Sequence, residues 1–74
     1  MLKSVQLEEL RPGQIAEISQ LIGESSAVTR MYEIGLRVGA SLEMLQRGRA
    51  SVVKVNGSKL CLRSNGVQVL VRPG

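Results

Sequence analysis

The residue types that carry most enzymatic chemistry are scarce in this chain. The sequence contains no His and no Asp, and Cys61 is its only cysteine. The commonest general base and the carboxylate that usually orients it are therefore both missing. Cys61 is the one strong nucleophile candidate, and its place in a strand pattern favours a structural thiol. We therefore predict that the chain is not an enzyme, has no catalytic residue and takes no small-molecule substrate.

Metal and cofactor sites are equally hard to place. Iron and zinc sites use clusters of His, Cys and carboxylate side chains. This chain offers one Cys and six Glu, which are scattered along the sequence. Its eight glycines form neither of the Gly-rich phosphate-binding motifs GxGxxG and GxxxxGK[ST]. We expect no cofactor and no specific high-affinity metal site.

The charge balance is basic, with ten Lys and Arg against six Glu and a formal net charge of +4. The cations are spread along the whole chain, which is typical of a solvated surface. An acidic protein, nucleic acid or an anionic membrane surface are the alternative readings. A lone cysteine without a secretory segment indicates a reducing, cytoplasmic setting. The longest apolar run, residues 69–71, is far too short for direct membrane insertion.

One convincing helix signal lies in the middle of the chain, at residues 25–39. Ser26 suits the N-cap position, where its hydroxyl can accept from a free amide of the first turn. Residues at helical spacing form a predicted core stripe of Ala27, Met31 and Ile34. Gly35 then fits the left-handed residue that ends a helix, and Leu36 fits the apolar position that packs on Met31 in a Schellman motif.

The other segments have the patterns of short strands and tight turns. Arg11-Pro12-Gly13 predicts a type II turn, and a further turn is expected at 64–66. The strand predicted at 14–22 breaks the strict period of two, which indicates a bulge or strong bend. The predicted strands are residues 14–22, 41–47, 51–55, 58–63 and 67–71. About five strands with one short helix after the first long strand predict a mainly β fold, a small barrel, in a single domain of residues 1–74.

Asn56-Gly57 between two alternating strands is the strongest hairpin signal in the sequence. A two-residue loop there pairs Lys54 with Lys59 and puts Val53, Val55, Leu60 and Leu62 on a core face. The opposite face carries the basic candidates Lys54, Lys59 and Arg63, with Val52 and Cys61 between them. Because like charges directly opposite each other cost stability, this face is either simply solvated or a docking face for an acidic partner. Its partly apolar character favours a protein over nucleic acid.

The outward side of the helix is a second candidate surface. Its members are Arg30, Tyr32, Glu33 and Arg37. Arg30 and Glu33, at i and i+3, can simply pair with each other. Tyr32 is amphipathic and suits the role of an interface anchor. Structural support and partner contact both remain open for this set.

The residues from Arg30 to Gly39 follow the spacing Arg-x-x-Glu-x-Gly-Leu-x-x-Gly. Matching pieces on either side are Leu7-Glu-Glu-Leu10-Arg-Pro-Gly13, Leu42-Glu-Met44-Leu and Gly57-Ser-Lys-Leu60-Cys-Leu62-Arg63. With these motifs the chain resembles the FeoA family, small proteins associated with bacterial ferrous iron uptake, over about residues 5–71. The resemblance implies an SH3-like barrel. The same module resembles the C-terminal domain of metal-dependent DtxR-type repressors.

The resemblance implies a non-catalytic cytoplasmic accessory protein of ferrous iron transport that contacts the cytosolic part of the FeoB transporter. It does not imply an iron site in this chain. The alternative is a small basic barrel that binds nucleic acid. Net charge and the basic hairpin face support that alternative, whereas Tyr32 is the only aromatic side chain available for base stacking.

The structural reading of Cys61 predicts ordinary thiol chemistry. We expect Cys61 to react with a thiol-specific reagent at neutral pH no faster than free cysteine under the same conditions. The rate is followed by the absorbance of the released chromophore, with glutathione as a second reference. A rate well above both references would contradict this reading.

Overall fold

The computed structural model describes residues 3–63 and 66–74, which form six strands, one α-helix and one 3₁₀ turn. The bounds of the strands are β1 Val5–Gln6, β2 Ile15–Ile22, β3 Ser41–Gln46, β4 Ala50–Val55, β5 Ser58–Arg63 and β6 Gln68–Pro73. The 3₁₀ turn covers Leu7–Glu9, and the helix α1 covers Ser25–Glu33. The predicted mainly β fold, with its helix after the first long strand, is confirmed.

All six strands belong to one antiparallel sheet with the order β1-β6-β2-β3-β4-β5. The strand beyond the predicted five is β1, which is only two residues long and pairs Val5 with Val71. β6, which comes after every other strand in the chain, lies between β1 and β2. β1 and β5 are the edges of the sheet, and within the described residues no hydrogen-bonded ladder joins them.

The irregular pattern of β2 does correspond to a bulge. The register of β2 against β6 shifts between Ile18 and Gln20, with Ser19 as the extra residue. The Ser19 hydroxyl donates to the carbonyl of Leu70 at 3.1 Å, so the bulge is tied to the neighbouring strand. A second shift, between Met44 and Gln46 of β3 against β4, was not predicted. Bulges bend strands and increase their twist, which curls this sheet around its core.

The core is aliphatic and contains side chains from both ends of the chain. Its fully buried large side chains are Leu7, Leu10, Ile18, Leu36, Leu42, Met44, Val53 and Val71. The predicted alternation of the hairpin is confirmed, because Val53, Val55 and Leu62 are buried while Lys54 and Lys59 are exposed. The two-residue loop and the predicted pairs across it are also as expected. Asn56 and Gly57 both have positive φ, as a type I′ turn requires.

Two predictions about the start and face of the helix are wrong. The N-cap is Glu24 rather than Ser26, without a side-chain cap, because the amide of Val28 already donates to the carbonyl of Glu24 at 2.9 Å. Ile34 does not belong to the core stripe and is 50% exposed. It is the C-cap, with φ −91° and ψ 5°, so its side chain leaves the helical spiral. Met31 is the buried residue of this helix.

The predicted end of the helix is confirmed in detail. Gly35 has φ 103°, and its amide donates to the carbonyl of Tyr32 at 3.1 Å. The amide of Leu36 donates to the carbonyl of Met31 at 2.9 Å, which completes a Schellman motif. The Leu36 side chain is fully buried and so fixes the end of the helix against the sheet.

The predicted type II turn is also present, since the amide of Gln14 donates to the carbonyl of Arg11 at 3.0 Å and Gly13 has φ 90°. Ser64 and Asn65 of the other predicted turn lie outside the described residues.

Replacement of Gly35 tests the left-handed helix end. A Cβ at Gly35 would meet no atom within 4 Å, so the cost of Gly35→Ala is the backbone strain alone. We expect the free energy of unfolding to fall by about 1–2 kcal/mol, as measured by chemical denaturation. Gly48→Ala is the matched control, because Gly48 is not among the glycines with positive φ and its added Cβ would lie 3.7 Å from the Ala50 carbonyl. Equal midpoints for both variants would contradict the prediction.

Candidate protein-docking surfaces

The first candidate is the helix surface, which we define as Arg30, Tyr32, Glu33 and Arg37. All four side chains are exposed at the end of α1 and in the loop that follows it. Arg30 and Glu33 do not pair, since the ion pair found among the described residues joins Arg72 and Glu17 at 3.5 Å. Both charges on the helix are therefore open to solvent.

Arg37 hydrogen-bonds to the end of the helix, a role that was not predicted from the sequence. Its Nε donates to the carbonyl of Tyr32 at 3.2 Å. This carbonyl lies at the C-terminal end of the helix, where a cation is favourable to the helix dipole. The sequence does contain a signal for this contact, namely an Arg two positions after Gly35, the glycine that ends the helix. Arg37 thus stabilises the helix end and still presents an exposed guanidinium.

Two aliphatic side chains next to the helix surface are exposed. Ile34 is 50% and Val38 is 53% exposed, and Tyr32 is 39% exposed. They lie within seven consecutive positions at one end of the helix, among the charges of the helix surface. Sequence reasoning placed Ile34 in the core and gave Val38 no role, because the spacing alone does not show where the helix ends. Exposed apolar side chains near charged ones are found in protein interfaces.

A groove of about 440 Å³ brings the helix end and the hairpin turn together. Its lining residues are Glu33, Ile34, Gly35, Arg37, Ala40, Val55, Asn56 and Ser58. Two of the predicted site residues, Glu33 and Arg37, therefore border the same groove as the turn between β4 and β5. The other predicted site residues do not line it.

The second candidate is the basic hairpin face, which we define as Lys54, Lys59 and Arg63. Lys54 lies opposite Lys59, as predicted, and all three side chains are exposed. On its other side Lys54 lies opposite Glu43 of β3, a half-buried carboxylate that sequence reasoning missed. Across the described sheet, a carboxylate is therefore in register with Lys54, whereas Lys59 is in register with Lys54 alone.

The described part of the chain bears on three other features: a metal cluster, a membrane-spanning helix and a reactive cysteine. Within residues 3–63 and 66–74, no three His, Cys, Asp or Glu side chains come close enough to hold a metal ion. No helix in the same ranges is long and apolar enough to cross a membrane. Cys61 is exposed, opposite half-buried Val52.

Comparison with known proteins assigns the chain to a family. The model of the FeoA domain matches residues 5–72, nearly the whole chain. The chain belongs to the FeoA family. This family is associated with ferrous iron transport, and the predicted resemblance is confirmed. A comparison with curated proteins gives no match.

Solved structures of FeoA proteins share the fold. A crystal structure of an iron uptake regulatory protein (FeoA) is 24% identical with a TM-score of 0.85, covering 97% of this chain and 100% of that one. The solution structure of the FeoA protein from Chlorobium tepidum is 30% identical with a TM-score of 0.76, covering 90% of this chain and 70% of that one. The predicted SH3-like architecture is thereby confirmed.

Two longer chains contain the same fold as one of their parts. T. acidophilum IdeR is 21% identical with a TM-score of 0.78, covering 92% of this chain and 34% of that one. A manganese-dependent transcriptional repressor is 17% identical with a TM-score of 0.85, covering 100% of this chain and 43% of that one. This chain thus spans less than half the length of either protein, and at these identities the comparison shows the fold alone.

Charge reversal at Lys59 tests the unfavourable row on the basic hairpin face. In Lys59→Glu, the carboxylate lies opposite Lys54 and replaces repulsion by attraction. We expect the free energy of unfolding to rise by about 0.5–1 kcal/mol at low salt and the gain to shrink as salt is added. The control Lys59→Gln removes the repulsion alone and should give a smaller gain. Unchanged stability in Lys59→Glu would show that the two lysines splay apart and do not interact.

Proposed function

We propose that this protein is a non-catalytic, cytoplasmic accessory factor of ferrous iron transport that docks on the cytosolic part of an FeoB-type transporter. Membership of the FeoA family supports ferrous iron transport as the process. The observation that supports docking is the helix end, where Tyr32, Ile34 and Val38 are exposed among solvent-facing charges. The partner surface would cover these three side chains and pair with Arg30 and Glu33.

The energetics of such an interface are favourable but moderate. Covering the exposed halves of Ile34 and Val38 contributes about 1 kcal/mol each, taking half of a full aliphatic burial. Tyr32 supplies a large, amphipathic anchor that loses little conformational entropy. Rim charges such as Arg30 and Glu33 contribute mainly to orientation and association rate. This combination suits reversible binding, as a regulatory contact requires.

A docked domain can influence a transporter only by binding its conformational states unequally. A tenfold preference for one state shifts the equilibrium by about 1.4 kcal/mol. A rigid surface favours such discrimination, and here the Schellman motif and buried Leu36 hold the helix end in place. The groove between the helix end and the hairpin turn gives this surface a concave part.

The alternative function is binding of nucleic acid through the basic hairpin face. It is favoured by the common face of Lys54, Lys59 and Arg63. It is disfavoured because Tyr32, the only aromatic residue, belongs to the helix surface instead of this face. Oligonucleotide affinity that falls steeply with salt would be its signature.

Alanine substitution on the helix surface tests the docking proposal. Binding to the purified cytosolic domain of the transporter is measured by calorimetry for the wild-type chain and for Tyr32→Ala and Arg30→Ala. We expect Tyr32→Ala to weaken binding about tenfold or more, as loss of an interface anchor does. Arg30→Ala should weaken it less, about two- to fivefold, because it removes a rim charge.

Two controls separate this surface from the rest of the molecule. Tyr32→Phe keeps the ring and should retain most of the affinity. Arg11→Ala removes an exposed cation from the turn before β2 and should bind like the wild type. Unaltered binding in both helix variants would exclude the helix surface, and absence of binding by the wild-type chain would refute the proposal.

A further inference from the structure

β5 forms a long edge of the sheet. It has six residues and, within residues 3–63 and 66–74, pairs with β4 alone, whereas the opposite edge, β1, has two residues. Among the described residues, no loop, turn or side-chain hydrogen bond involves a residue of β5. An open strand edge of this length is a template for pairing with another extended segment.

The hairpin geometry determines which backbone groups of β5 are free. A two-residue loop makes Val55 and Ser58 a hydrogen-bonded pair, and such pairs alternate along an antiparallel ladder. Lys59, Cys61 and Arg63 therefore occupy the non-hydrogen-bonded positions. Their amide N–H and carbonyl groups point away from β4, toward the open edge. All three residues are exposed.

The side chains along this edge define the chemistry of a complementary strand. On the outer face, Lys59 and Arg63 place cations four positions apart with the small Cys61 between them. On the inner face, Leu60 is half-buried and Leu62 is 9% exposed. Leu62 also lines a cleft of about 470 Å³, together with Leu7, Met31 and Val69 among its apolar residues and Arg49 and Arg63 among its cations.

We propose that β5 binds an extended acidic peptide segment as an added antiparallel strand. The segment has the pattern acidic–apolar–small–apolar–acidic. Its two carboxylates lie opposite Lys59 and Arg63, its small residue lies opposite Cys61, and its apolar side chains pack beside Leu60 and Leu62. Main-chain hydrogen bonds supply affinity and the alternating side chains supply selectivity.

A second copy of this chain does not fit the same edge. Antiparallel pairing of two β5 strands about Cys61 would place Lys59 of one copy opposite Arg63 of the other, twice. Like charges in such positions are unfavourable, and edge cations are a known means of preventing self-pairing. The same cations attract an acidic strand, so charge selects the occupant. This β5 site does not use the helix surface, so it can be tested independently of transporter docking.

The test uses a synthetic peptide with the central sequence Glu-Val-Ser-Val-Glu and the wild-type chain. Hydrogen exchange is followed by NMR. We expect the amides of Lys59, Cys61 and Arg63 to exchange at least about tenfold more slowly at saturating peptide. The amides of Leu60 and Leu62, which already face β4, should change less.

Two N-methylated peptides distinguish strand addition from simple charge attraction. In an antiparallel pair with this register, the amides of the two Glu and the Ser face β5, and those of the two Val face away. Methylation of the Glu and Ser amides should abolish binding, whereas methylation of the Val amides should preserve it. Equal affinities for the two peptides would overturn the proposal, as would no binding of the unmodified peptide.

Charge reversal provides a matched pair of variants. Lys59→Glu with Arg63→Glu should weaken peptide binding about tenfold at low salt, since two attractive pairs become repulsive. Lys3→Glu with Arg11→Glu changes the net charge equally but uses exposed cations outside both candidate surfaces, and it should weaken binding less than about threefold. Equal losses of peptide affinity in the two double variants would show that net charge alone attracts the peptide, and would overturn the proposal. A wild-type dimer in sedimentation that persists at saturating peptide and protects the amides of Lys59, Cys61 and Arg63 without peptide would assign the edge to a second copy and overturn the proposal.

Discussion

The hydrogen bond from the Leu36 amide to the Met31 carbonyl closes the helix, and the Leu36 side chain that it places packs in the core. It forms only because Gly35 adopts a left-handed conformation, which turns the chain so that Leu36 enters the core. Burying Leu36 leaves Ile34 on one side of the glycine and Val38 beyond it, both in solvent. The exposed apolar side chains of the helix end are thus a geometric consequence of the helix stop.

Local signals were sufficient for much of this fold. The Asn56-Gly57 hairpin and the Gly35 helix end depend on backbone preferences of adjacent residues, so they can be predicted from the sequence. The pairing of Glu43 with Lys54 depends on the register between strands, which a single sequence does not encode locally. β1 was missed for a related reason, because two residues are too few to show an alternating pattern. The candidate charges were predictable from the sequence, but which of them share a groove was not.

The two candidate surfaces differ in the forces that they offer a partner. The helix end combines aliphatic area with solvent-facing charges of both signs, which suits a folded partner surface. The β5 edge offers backbone groups and cations of one sign, which suits an extended acidic segment. Both can be occupied without rearranging the core, because neither uses a fully buried side chain. The two proposed contacts therefore do not compete for the same side chains.

The position of β6 has a consequence for folding. β1 and β2 do not pair with each other, and β6 joins them through Val5–Val71 and Ile18–Val71 pairings. These contacts span more than fifty residues, so the chain must lose considerable conformational entropy before they form. The pairings of β2, β3, β4 and β5 with one another close shorter loops, so they can form before β6 docks. Until β6 docks, β1 has no strand partner and the edge of β2 that β6 covers is open to pairing with other chains.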